Sequence, residues 1–133
     1  MADSNPGPAG GDAPAIAAFT DLIFSARIRA AAAEHGTRVF LSTHPDRFLE
    51  AVAGSARTAF VDLDSRGADP VALIARLRER MDTRDARIVA FASHVRTDAI
   101  AAARTAGADR VLARGAFART LPRLVRDPLA AEG

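Results

Sequence analysis

A parallel α/β sandwich is the fold class that this sequence predicts, with helices on both faces of a five-stranded sheet. Three observations carry the prediction. Short runs rich in apolar, β-branched and aromatic residues alternate with helical stretches five times over, the pattern of strand–helix crossovers. The strand runs, such as Ala59-Phe60-Val61 and Ile88-Val89-Ala90-Phe91-Ala92, are continuous rather than alternating, as in strands buried on both faces. Gly, Pro and Asp fall at the junctions, where helices start and stop.

Residues 15–20 form a short apolar first strand, ended by Asp21. Residues 22–35 follow as an Ala-rich helix with Phe24, Ile28 and Ala31 on one face and Gly36 as its stop. Residues 37–42 read as the second strand. Thr43 is the expected cap of the next helix, with Pro45 in its first turn and Phe48, Leu49 and Val52 as its apolar face. Residues 57–63 make the third strand. Asp69 caps the third helix and Pro70 opens it. Val71, Leu73, Ile74, Leu77 and Met81 fall on its apolar side, and Arg76, Arg78, Glu79 and Arg80 on its wet side. Residues 87–92 are the fourth strand, 97–105 an Ala-rich helix stopped by Gly107, and 110–113 the fifth strand. The last helix is expected over 117–125, with Pro122 bending or breaking its start. The right-handed crossover rule leaves few topologies for five such units, and a flavodoxin-like (βα)5 three-layer sandwich with sheet order 2-1-3-4-5 leads them.

The chain of 133 residues is read as one domain over 15–126. Residues 1–14, rich in Pro and Gly, are expected to be a flexible tail, and 127–133 a second short tail. Cys is absent, which excludes disulfides and thiolate metal sites. No apolar run of about 18 residues and no signal peptide occur, so no membrane association is expected and the location is read as cytoplasmic. The pI of 10.8 accompanies a net charge of only +2. All basic side chains are Arg, with no Lys, Tyr or Cys, so nothing titrates between His and Arg and a small excess drives the pI up. The Arg residues are spread among acids rather than clustered, so no nucleic-acid partner is expected. No Gly-rich phosphate loop occurs, and the three His lack metal-site spacing.

The carboxyl edge of such a sheet collects chemistry. There the sequence places Asp21 after the first strand, Asp62 and Asp64 at the end of the third, Ser93 and His94 after the fourth and Arg114 after the fifth. Carboxylates from two strands suit a hard cation such as Mg²⁺, and an Asp can attack a phosphoryl group. The same residues also have structural readings. Asp21 serves equally as a helix cap, Asp62 and Asp64 as turn residues, Ser93 as a cap and His94 as an exposed side chain.

The segments Val61-Asp62-Leu63-Asp64-Ser65-Arg66-Gly67 and Ala106-Gly107-Ala108-Asp109-Arg110-Val111-Leu112-Ala113-Arg114 resemble the receiver domain of two-component response regulators (CheY-like), over roughly residues 16–125. The resemblance implies Asp62 as the phosphoacceptor, with Mg²⁺ held by Asp21, Asp62 and the carbonyl of Asp64, and with Ser93 and Arg114 touching the phosphoryl oxygens. The chain departs from the pattern. Thr20 and Asp21 stand for two acids, and the family's Ser/Thr falls on Ala92 unless a one-residue shift brings in Ser93. Arg114 replaces a Lys, Gly115 the following Pro, and Arg66 the Pro of the loop after the phosphoacceptor. These departures favour a stand-alone pseudo-receiver, not an enzyme, that signals by contact with Arg114 paired to Asp62. The alternative is Mg²⁺-dependent phosphorylation on Asp62, and a small α/β enzyme or cofactor binder is weaker. No helix-turn-helix follows the last helix, so the expected partners are a histidine kinase or another signalling protein, or a second copy in a homodimer.

Overall fold

The computed structural model describes residues 15–66, 68–93 and 95–129. The expected N-terminal tail, the Gly67 turn, His94 and residues 130–133 lie outside that set.

Five strands, β1 (Ala15–Phe19), β2 (Arg38–Ser42), β3 (Thr58–Asp62), β4 (Arg87–Ala92) and β5 (Arg110–Ala113), alternate with five helices, α1 (Leu22–Glu34), α2 (Pro45–Gly54), α3 (Pro70–Glu79), α4 (Thr97–Ala106) and α5 (Arg114–Arg126). All pairings are parallel, and the order is β2-β1-β3-β4-β5. This is the flavodoxin-like (βα)5 arrangement that the sequence predicts.

Strand periodicity divides the interior into two cores. Ala17, Phe19, Ala59, Val61, Ile88 and Ala90 point to one face, against Phe48, Leu49 and Val52 of α2, Leu73, Ile74 and Leu77 of α3 and Ala103 of α4. Ile16, Ala18, Phe60, Val89 and Phe91 point to the other, against Phe24 and Ile28 of α1 and Phe117, Leu121 and Leu124 of α5. Continuous apolar strands are thereby accounted for, since both faces are covered. On the second face four rings meet. Phe91 and Phe117 stack at 4.0 Å, Phe60 stands edge-on to Phe117 at 5.2 Å, and Phe24 lies 5.2 Å from Phe91. Such pairs contribute about 0.5–1.5 kcal/mol each beyond their burial.

Four local expectations are corrected. Thr43 does not cap α2: the N-cap is His44, without a side-chain bond, and Ser42 Oγ accepts from the His44 N–H instead. Met81 does not join the α3 face, because the helix ends at Glu79, Arg80 is extended and Met81 is 82% exposed. The helix α5 starts at Arg114, three residues before the expected 117, and runs through Pro122 to Arg126. Arg78 is no part of a wet face. Its guanidinium donates to the carbonyls of Gly107, Arg84 and Ala86 and to Asp109 Oδ2.

Arg78 ties α3 to the turns before β4 and β5. Asp109 Oδ2 also accepts from the Ile88 N–H at 2.8 Å, so one carboxylate binds both the guanidinium and β4. Gly107 permits the close approach: its φ is +123°, and a Cβ there would lie 2.6 Å from Arg78 Cγ. Arg78→Ala is expected to destabilise the fold by about 2–3 kcal/mol in urea denaturation, because several half-buried acceptors lose a charged donor together. A loss below about 0.5 kcal/mol would mean that water replaces the guanidinium without penalty.

Candidate functional site

The site forms where the loops after β1, β3 and β4 meet the start of α5. Asp62 is the last residue of β3 and only 1% exposed. A carboxylate buried to that degree needs partners, and three donors supply them. Thr20 Oγ1 donates to Oδ2 at 2.7 Å, while the Asp64 N–H and Arg114 donate to Oδ1 at 2.9 and 2.8 Å.

Arg114 is the hub. One terminal nitrogen donates to Asp62 Oδ1 at 2.8 Å and Asp64 Oδ2 at 3.2 Å, and the other to Asp21 Oδ2 at 3.1 Å. The guanidinium also lies over the ring of Phe24 at 4.4 Å and near that of Phe91 at 5.5 Å. Planar stacking with several forked bonds is what Arg offers and Lys does not. Burial by itself would lower the Arg114 pKa. The hydrogen bond and charge of Asp62 outweigh it, with help from Asp64 and Asp21, and hold the pKa above its ordinary value. Because the pKa is raised, the contribution of the charged guanidinium is present below the ordinary arginine range and is lost only as pH rises through the raised value. Arg114 therefore stays charged at any working pH.

Asp64 joins two more segments. Its Oδ2 accepts from the Ser93 N–H at 3.0 Å, and its Oδ1 accepts from Arg96 at 3.2 Å. Asp21 acts in both of the ways open to it. Oδ1 caps α1 by accepting from the Phe24 N–H at 2.9 Å, and Oδ2 faces Arg114.

Of the six residues that the sequence places at this edge, His94 lies outside the described residues and the other five meet: Asp21, Asp62, Asp64 and Arg114 through their side chains, Ser93 through its backbone. Ala92 ends β4 and pairs with Ala113, immediately before Arg114. Sequence reasoning gave Thr20 only as the stand-in for an acid, and it missed Arg96 and the ring of Phe24. Thr20 had a usable signal, a hydroxyl at a strand end beside Asp21. Arg96 had none, because its place depends on the path of the β4–α4 loop.

The residues can be tested against a hard divalent cation. Mg²⁺ takes oxygens at about 2.0–2.1 Å in near-octahedral order. Among the described residues, no three acidic, His or Cys side chains are grouped to share a metal ion. Arg114 stands between the carboxylates of Asp21, Asp62 and Asp64 and supplies their counter-charge. In this arrangement the guanidinium stands where a cation shared by those carboxylates would have to enter.

No family model and no curated protein matches the sequence. Solved structures do match in shape. A response regulator from Thermotoga maritima is 19% identical with a TM-score of 0.72, covering 90% of this chain and 99% of that one. The receiver domain of a sensor histidine kinase from Pseudomonas aeruginosa, with magnesium in its active-site cleft, is 17% identical with a TM-score of 0.70, covering 86% and 99%. A response regulator from Burkholderia pseudomallei bearing a phosphorylated aspartic acid is 20% identical with a TM-score of 0.71, covering 89% and 69%. The fold is that of a response-regulator receiver domain. On this receiver fold, Asp62 stands at the carboxyl end of the middle strand and Arg114 directly after the last.

Proposed function

We propose that this chain is a signalling module on the receiver fold that works by protein–protein contact, with Asp62 held by Arg114 rather than used as a phosphoacceptor. The observation that carries the reading is the engagement of Asp62 by the Arg114 guanidinium at 2.8 Å. Both Asp62 oxygens already accept strong bonds, from Thr20, the Asp64 N–H and Arg114. Three of the roughly four acceptor sites of the carboxylate are therefore engaged, and an incoming phosphoryl group needs a cation with charge to spare. Here Arg114 is already shared among three carboxylates. The pairing holds the loops after β1 and β3 and the start of α5 in one arrangement, without any modification. A histidine kinase or another signalling protein is the class of partner that fits such a module.

Intact mass after incubation with acetyl phosphate and Mg²⁺ tests the reading. The expected result is an unchanged mass for the native protein and for Asp62→Ala. A gain of one phosphoryl group in the native protein that is lost in Asp62→Ala would sink it. The Mg²⁺-dependent phosphoacceptor reading, with Asp21 and Asp64 beside Asp62, would take its place.

A further inference from the structure

The Arg residues are spread among acids along the sequence, but the fold does not share them evenly. Helices α2, α3 and α4 cover one face of the sheet and balance four Arg against four acids. Helices α1 and α5 cover the other face and hold six Arg against one acid, Glu34. Asp21 and Asp127, at the ends of these two helices, reduce the excess without cancelling it. Arg114 is taken up by the site, while Arg27, Arg29, Arg119, Arg123 and Arg126 are exposed. Among the described residues, no acid pairs with Arg27, Arg29, Arg119 or Arg126, whereas Arg76, Arg78, Arg80 and Arg96 each hold one. Arg119, Arg123 and Arg126 follow one another at helical spacing and form a stripe along α5. Arg27 and Arg119 each stand five residues after the start of their helix, and both helices start at the edge that carries the site. At that edge Leu22 and Ile23 open α1, 84% and 73% exposed. The layer thus presents a cationic surface with two apolar side chains at one end.

We infer that the α1–α5 layer docks an acidic, amphipathic helical segment of a partner protein. The inference rests on the contact reading above and gives that contact a place and a chemistry. Charge complementarity calls for an anion, since guanidinium forks match carboxylates and phosphates. The two apolar residues decide among the anions. A partner helix can set Glu side chains three and four residues apart over the Arg stripe. The same helix can lay an apolar side chain on Leu22 and Ile23. Nucleic acid would use the Arg residues and leave the apolar pair in water. It would also find no stacking surface, because Phe24 and Phe117, the rings of these two helices, are buried. An anionic lipid surface would take up Leu22 and Ile23, but it would press the half-exposed Asp21 carboxylate beside them against like charge. A peptide can set a neutral residue at that point, and a headgroup layer cannot. Exposed charge pairs are individually weak, which implies association at about 10–100 µM.

Fluorescence anisotropy on the full chain tests the inference. The probe is a labelled, Ala-rich helical peptide of about 20 residues, with Glu on one face and two Leu at one end. It is expected to bind at about 10–100 µM. The same peptide with Ala for both Leu, and an oligo-dT strand of equal charge, should each bind at least about threefold more weakly. Arg27→Glu combined with Arg119→Glu should weaken the peptide by at least about tenfold. Arg47→Glu combined with Arg104→Glu makes the same change in net charge on the balanced layer and should leave binding within about twofold. Ile23→Ser should cost about threefold. No binding up to about 1 mM, equal loss in both double variants, indifference to the Leu residues, or tighter binding of the oligonucleotide or of phosphatidylserine vesicles would each overturn the proposal. Circular dichroism checks every variant, and Arg27→Ala with Arg119→Ala replaces the first pair should that pair lose its fold. The two readings fail separately. A chain that takes up a phosphoryl group yet binds the peptide sinks only the reading of Asp62, and an unmodified chain that ignores the peptide sinks only the docking layer.

Discussion

Arg114→Ala is expected to lower stability by about 3 kcal/mol, because removing one member of a buried ion pair strands the other. Asp62 has a side chain only 2% exposed and would keep Thr20 and the Asp64 N–H but lose its cation. Asp21 and Asp64 would then face it with no guanidinium between them. Two further variants separate charge from shape. Arg114→Lys keeps the charge but loses the fork and the stacking on Phe24, so it should fall between the native protein and Arg114→Ala. The double variant Arg114→Ala with Asp62→Ala should be more stable than Arg114→Ala alone, since no orphaned buried charge remains. Urea denaturation in EDTA measures all three without metal compensation. A loss below about 0.5 kcal/mol for Arg114→Ala would show that the clamp behaves as an exposed surface pair, and the proposed function would lose its support.

Phe117→Ala should destabilise by about 4 kcal/mol, the middle of the range for a buried Phe truncated to Ala. Phe117 is 0% exposed and touches three other rings, so its removal opens a cavity that rigid neighbours cannot close. Phe117→Leu keeps most of the volume and should cost about 1.5 kcal/mol or less. The cluster also links this position to the site, because Phe91 stacks on Phe117 while Phe91 and Phe24 lie under the Arg114 guanidinium. Combining Phe117→Leu with Arg114→Lys should therefore depart from additivity by at least about 0.5 kcal/mol. Strict additivity would mean that the rings and the guanidinium act as separate units.

Much of this arrangement is legible in the sequence, for local reasons. Continuous apolar strands, Asp69-Pro70 at a helix start and Gly36 and Gly107 at helix ends each act within a few residues, and the structure places them as read. The site candidates are legible too, because parallel topology brings all strand ends to one edge. What escaped reading depends on the tertiary path. The helical spacing of Val71 to Met81 continues past Glu79, but the Arg80 backbone turns extended and Thr83 Oγ1 bonds the Leu77 carbonyl at 2.6 Å. Arg78 looks like its exposed neighbours Arg76 and Arg80 until the turns before β4 and β5 present their carbonyls to it. Pro122 disfavours a helix locally, yet Phe117, Leu121, Leu124 and Val125 bury a full face across it, and that burial outweighs the lost hydrogen bond.

The start of α5 bears on the order in which the chain assembles. Its N-cap, Ala113, makes no side-chain bond, and its first turn holds no acid, so the helix opens on a cation at the end where the macrodipole is least favourable to one. The compensating carboxylates lie 50, 52 and 93 residues upstream. Contacts of that span form only after the intervening loops have closed. The last helix therefore finds its first residue only once β1 and β3 have delivered Asp21, Asp62 and Asp64 to the same edge. A strand slipped by one residue would turn Asp62 to the other face and leave Arg114 without its strongest partner. The clamp thus acts as a register check, completed at the end of the chain.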